Sequence, residues 1–160
     1  MKLLSFLSFF LLLSCTNRFV IDTDLAGKLS SIKIEPAGES IARYEFENHL
    51  RNLLDTKQSS IKYRLEVTLI RNSSSLVIQK DADSARESVE LMVNYHLYDA
   101  LIGDLLYSGK FRQLASYNTL FSPFSTNVEQ VKTDSNLAKA SAEELRRRLI
   151  LYFKMKSLAK

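Results

Sequence analysis

Apolar and polar residues alternate most regularly in Ile61-Lys-Tyr63-Arg-Leu65-Glu-Val67-Thr-Leu69, and again where Val89, Leu91, Val93, Tyr95 and Leu97 interleave with Glu90, Met92, Asn94, His96 and Tyr98. A sustained period of two predicts strands with one buried and one open face. Ile102-Gly103-Asp104 reads as a short hairpin connection into a further strand from Leu105 to Tyr117, with a bulge expected at Gly109. Upstream, Leu29-Ser-Ser-Ile32-Lys-Ile34-Glu alternates weakly and stops at Pro36-Ala-Gly38, which suits a first strand at a sheet edge. Asn72-Ser-Ser-Ser75 and Lys80-Asp-Ala-Asp-Ser84 read as turns, with Leu76-Val77-Ile78 an extended insert between them.

Two segments follow the helical period instead. From Ser40, read as an N-cap, Ala42, Phe46, Leu50, Leu53 and Leu54 form one stripe, and Glu39, Glu45 and Glu47 sit on the early turns where a helix favours anions. From about Ser135, the residues Ala138, Ala142, Leu145, Leu149, Tyr152 and Phe153 carry the same period toward the C-terminus, with Asp134 at the front and Lys154 and Lys156 at the back. Between the last strand and this helix, Tyr117 to Gln130 reads as an ordered crossing loop interrupted by Pro123, and Thr16 to Gly27 as a spacer without a period. One-sided strands need helices to cover them, so the order β-α-β-β-β-α predicts an α+β fold. Its form is a two-layer α/β sandwich, with two helices on one face of a mostly antiparallel four-stranded sheet.

The N-terminus follows neither pattern. Lys2 precedes an apolar run from Leu3 to Leu13 that is too short to cross a bilayer core, which takes about 20 residues, and reads as a signal-peptide core. It ends in Leu12-Leu13-Ser14-Cys15, which resembles a bacterial lipobox. That resemblance implies cleavage between Ser14 and Cys15 and attachment of lipid to the Cys15 thiol, the one cysteine in the chain and a strong nucleophile for thioether formation. Three acyl chains exceed the two-signal requirement for stable anchoring. Residues 1–14 are thus expected to be a lipoprotein signal peptide, 15–27 a lipidated N-terminus and spacer, and 28–160 a single domain. Thr16 follows the cysteine where an Asp would favour the inner membrane, so the expected location is the periplasmic face of the outer membrane.

Composition removes other classes. In 160 residues the chain has four glycines, two prolines and no tryptophan, and no Walker loop, dinucleotide fingerprint or nucleophile elbow. His49 and His96 lack metal-spaced companions, Asp81 and Asp83 lack the rest of a calcium loop, and Glu143 with Glu144 beside Arg146 to Arg148 reads as helix-surface pairing. No catalytic residue, metal or cofactor is expected, and the chain is not expected to be an enzyme. The formal charge of +4 includes no basic stripe of the kind nucleic acid requires. The open side of the predicted sheet is more informative: Lys62, Arg64, Glu66 and Thr68 lie beside Met92, Asn94, His96 and Tyr98. Such a face either meets a protein partner or faces water. Thr68 and Asn94 are its candidate partner-facing positions.

With these elements placed, the chain resembles the LPS-assembly outer-membrane lipoprotein family LptE, in its alphaproteobacterial form. The matching pieces are Tyr63 to Leu69, Leu76-Val-Ile-Gln-Lys-Asp81 leading to Ala85-Arg86, Val93-Asn-Tyr-His-Leu-Tyr-Asp99, Ala115-Ser-Tyr-Asn118 with Ser122-Pro-Phe-Ser125, and Ala142-Glu-Glu-Leu-Arg-Arg-Arg-Leu149 running into Leu151-Tyr-Phe153. The chain departs from the family at Asp134-Ser135-Asn136, where a tight Asp-Ala pair is usual. The resemblance implies a non-enzymatic subunit that plugs a large LptD-type outer-membrane β-barrel, assists its assembly and helps deliver lipopolysaccharide to the outer leaflet. The alternative is an accessory lipoprotein of an ABC-type lipid or solute transporter. A lipoprotein hydrolase would need a nucleophile and base that the sequence does not offer.

Overall fold

The alternating segments become two of three long antiparallel strands in the computed structural model, which describes residues 23–37, 41–56, 60–76, 85–119 and 122–158. In chain order the elements are α1 (Thr23–Ser30), β1 (Ile32–Ala37), α2 (Ile41–Leu54), β2 (Tyr63–Leu76), β3 (Ala85–Asp99), β4 (Leu105–Thr119) and α3 (Pro123–Leu158). The strands lie side by side in sequence order, with β1 parallel to β2 at one edge and the other pairs antiparallel. A parallel neighbour cannot be reached by a tight turn, and α2 supplies the crossover. The predicted α+β sandwich with a mostly antiparallel four-stranded sheet is therefore the fold, with its helices on one side.

The buried row of the sheet comprises Ile32, Ile34, Leu65, Val67, Val89, Leu91, Val93, Tyr95 and Leu97. Against it pack Ala42, Phe46, Leu50 and Leu54 of α2 and Ala138, Ala142, Leu145, Leu149 and Phe153 of α3. Ala138, Ser141 and Ala142 are fully buried small residues, and they let α3 run close beside α2.

The structure corrects several expectations. Residues 23–30 form a helix, not the end of a spacer: Leu25 and Leu29, four apart, turn one face onto the core, so Leu29 belongs to α1 and the first strand begins at Ile32. Pro36 does not stop that strand, because β1 lies at the edge and pairs on through Pro36 and Ala37. Asn72 to Ser75 is strand, not turn, since the register with Glu90 to Glu87 supplies its backbone hydrogen bonds whatever the side chains. The crossing loop shrinks because α3 begins at Pro123 and runs 36 residues, about 54 Å at 1.5 Å per residue. Ser122 is its N-cap, accepting a hydrogen bond on Oγ from the Ser125 N–H at 3.4 Å, and proline at the first helical position has no N–H to lose. Asp134 consequently lies inside α3, not at its front. The register irregularity of β3 and β4 falls at Leu97/Tyr98, whereas Gly109 pairs regularly with Tyr95 and is no bulge. Ser40, Asp81 and Asp83 lie outside the described residues.

Candidate functional site

The face of the sheet away from the helices is built from alternate positions: Lys33 and Glu35 on β1, even residues 64–74 on β2, 86–98 on β3, and 108–118 on β4. Register turns these into rows across the sheet. Lys33, Arg64 and Tyr98 form one, Glu35, Glu66, His96 and Ser108 the next, and Thr68, Asn94 and Lys110 the third. Ile70, Met92 and Arg112 follow, then Asn72, Glu90 and Leu114. Strand spacing and rise make this surface about 14 Å wide between outer strand axes and about 50 Å long.

Its charges are largely cross-paired. Lys33 Nζ lies 2.6 Å from Glu35, Arg64 bonds Glu66 and reaches Glu35 at 3.5 Å, and Arg112 reaches Glu90 at 3.5 Å. The hydrogen bond from Lys33, with Arg64 beside it, holds the Glu35 carboxyl below the usual carboxylate range. Arg64 also stacks its guanidinium 4.5 Å from the Tyr98 ring centre, and His96 stacks on the same ring at 6.3 Å. Arg86 donates from Nε to Ser116 Oγ at 2.9 Å. Exposed Ile70 and Leu114 interrupt the polar rows. The result is a mixed surface, mildly cationic, with donors, acceptors and isolated apolar patches in fixed positions.

Thr68 and Asn94 are direct cross-strand partners near the middle of this surface. Cys15 and Ser14 lie outside the described residues. His49 does not stand alone: its Nε2 is 3.4 Å from Glu143 on α3. Glu144 pairs with Arg147 at 2.5 Å and Arg148 at 2.7 Å, as helix-surface pairing predicts, while Arg148 also sits 4.8 Å from the Phe111 ring centre. No cluster of three or more His, Cys, Asp or Glu residues able to hold a metal occurs among the described residues. Sequence reasoning passed over Lys110 and Arg112, which extend the face onto β4; their even numbers on an alternating strand were the available signal. It also passed over Arg71 on the helix side of β2, whose Nε donates to both Asp134 oxygens at 3.0 and 3.1 Å and so ties the sheet to α3.

No protein-family model matches the sequence. The fold recurs in a candidate lipoprotein from Caulobacter crescentus, at a TM-score of 0.67 and 20% identity over 82% of this chain and 96% of that one. It recurs in uncharacterized lipoprotein B from Nitrosomonas europaea (TM-score 0.60, 13% identity, 77% and 83% of the two chains) and in a minor lipoprotein from Acinetobacter baumannii (0.57, 14%, 75% and 90%). At those identities the likeness is one of fold. A relative in sequence is the uncharacterized protein RP188 of Rickettsia prowazekii, 40% identical over 125 residues that cover 78% of each chain. With the shared stretch spanning most of both proteins, this chain belongs to the same family as RP188.

Proposed function

We propose that the protein is an outer-membrane lipoprotein, acylated on Cys15, that plugs and helps assemble the β-barrel through which lipopolysaccharide reaches the outer leaflet. It acts by binding, without catalysis. The observation that carries this reading is the open sheet face. A large surface of paired charges, amides and hydroxyls, which no described element covers, matches the polar interior of a wide β-barrel, where complementary hydrogen-bonding groups replace water. An extended greasy patch would not be tolerated there, and the exposed apolar residues described on this face, Ile70, Leu105 and Leu114, lie in separate rows among polar ones. The recurrence of the fold among bacterial lipoproteins and the Leu12-Leu13-Ser14-Cys15 sequence support the anchored part of the reading. The LptE-like segments support the barrel and lipopolysaccharide as partners.

Photocrosslinking tests it. A photoreactive residue at Thr68 or Asn94 is expected to crosslink to a large heat-modifiable β-barrel in envelope fractions, and depletion of the protein to leave lipopolysaccharide off the surface. Crosslinks to water alone, with normal surface lipopolysaccharide after depletion, would refute the proposal.

A further inference from the structure

We propose that the end of the molecule bearing the β3–β4 turn is its membrane-contacting end, with Leu101 and Ile102 inserted into the interfacial zone of a phospholipid bilayer. This rests on the reading that Cys15 is acylated. The turn holds both side chains outward: Leu101 is 89% exposed and Ile102 70%. Its backbone is tied on several sides. The Leu101 and Ile102 N–H groups donate to Asp99 Oδ1 at 2.9 and 3.3 Å, the Asp99 N–H to the Asp104 carbonyl at 2.9 Å, and the Gly103 N–H to the Asp99 carbonyl at 3.0 Å. Gly103 takes a φ of 78°, the left-handed conformation that suits glycine. Turns facing water favour polar residues, whereas this one fixes two large aliphatic groups at its tip.

Other groups at this end suit the same surroundings. The Ala100 N–H donates to the Lys62 carbonyl at 3.0 Å, which places exposed Ile61 beside the turn, and the Tyr63 ring lies 5.1 Å from Phe153 on the last turns of α3. Beyond Phe153, α3 exposes Met155 and Leu158 among Lys154 and Lys156. Aliphatic groups flanked by ammonium groups fit an interface of acyl chains and anionic headgroups.

A second exposed stripe, Phe124, Val128 and Val131, lies on the first turns of α3 at the opposite end, so exposure alone does not choose between the ends. The anchor does. Asp24 of α1 lines one groove with Tyr63, Phe153, Lys156 and Ser157, so the chain enters the fold at the turn-bearing end. From Cys15 to Thr23 the backbone can reach at most about 29 Å, less than the roughly 50 Å length of the long strands. An acylated chain therefore keeps this end at the bilayer.

The test uses the full chain, expressed with its own leader in a Gram-negative host and reconstituted into vesicles of phosphatidylethanolamine and phosphatidylglycerol. An environment-sensitive dye is placed on Ile102→Cys and, in a second preparation, on Val128→Cys; both sites are exposed, so folding is not at stake. Position 102 is expected to give a blue-shifted emission that bilayer-embedded nitroxides largely quench, and position 128 a water-like emission. Water-like emission at 102 in protein that floats with the vesicles overturns the inference, as does a shift that appears only when a β-barrel partner is added. The mass of the processed N-terminus is read separately. A missing acyl group sinks the lipoprotein reading, while the dye at 102 decides the insertion in either case.

Discussion

The Tyr95 ring fills the space that a side chain at position 109 would need: a Cβ built on Gly109 would sit 2.8 Å from Cζ and 3.2 Å from Cε1 of that ring. A glycine inside an alternating strand is legible as an anomaly, but sequence cannot say which kind. The answer depends on the register that pairs Tyr95 with Gly109, and that register is set by the irregularity at Leu97/Tyr98 on the neighbouring strands. Gly109→Ala is expected to lower stability by about 1–3 kcal/mol, read as a shift in the denaturant midpoint, because the buried ring has to move. Tyr95→Leu should remove most of that cost. The phenols also report on burial. Removal from water, and for Tyr95 the neighbouring Tyr107 hydroxyl, push its pKa up to about 12; burial and the hydrogen bond to Glu87 do the same for Tyr117. A raised folded pKa means that the unfolded chain gives up these protons first, so stability is whole below about pH 10 and declines as pH rises toward 12. Ultraviolet titration of the folded protein should show two late phenolate steps, one lost in Tyr95→Phe and the other in Tyr117→Phe. Ser141 offers the opposite case: its fully buried hydroxyl has no hydrogen-bond partner among the described residues, so Ser141→Ala should be neutral or stabilising by up to about 1 kcal/mol.

Among the elements, those with a regular apolar period were legible and those held by context were not. The central strands and α2 announce themselves through side chains that alternate or recur every third and fourth position. The serine-rich end of β2 does not, because a hairpin ladder supplies its hydrogen bonds from the backbone. The first turns of α3 carry exposed Phe124, Val128 and Val131 with no burial to reward the stripe, and Pro123 reads as a breaker until Ser122 is recognised ahead of it as a cap. Arg71 and Asp134 then fasten this long helix to the sheet. Both side chains are mostly buried, so Asp134→Ala leaves a guanidinium poorly solvated and should cost about 1–3 kcal/mol by thermal or chemical unfolding. Arg71→Leu in that background should recover most of the loss, since an apolar side chain needs no counter-charge; failure to recover would point to a different role for the pair.

On the scale of the whole molecule, the sheet divides labour between its two sides. The helix-covered side supplies stability, and the open side carries fixed polarity that contributes little to it, because exposed ion pairs are each worth about 0–1 kcal/mol. The open side was legible from alternation alone, residue by residue for Thr68 and Asn94, but its width was not: that needed the register that brings Lys110 and Arg112 alongside. Lys110 has no ionic partner among the described residues and stands beside Asn94. Lys110→Glu is therefore expected to leave the unfolding midpoint nearly unchanged while reducing the amount of β-barrel recovered with the tagged protein. An equal loss of both would mean the residue serves the fold instead.

The parallel placement of β1 bears on how the chain reaches this state. The amino-terminal portion is synthesised first, yet the sheet neighbour of β1 among the described residues is β2, which follows only after the whole of α2. The strands β2, β3 and β4, by contrast, each pair with the next strand in sequence and can zip up as they are made. The edge strand is thus the one of the four that waits longest for its partner, although it is made first.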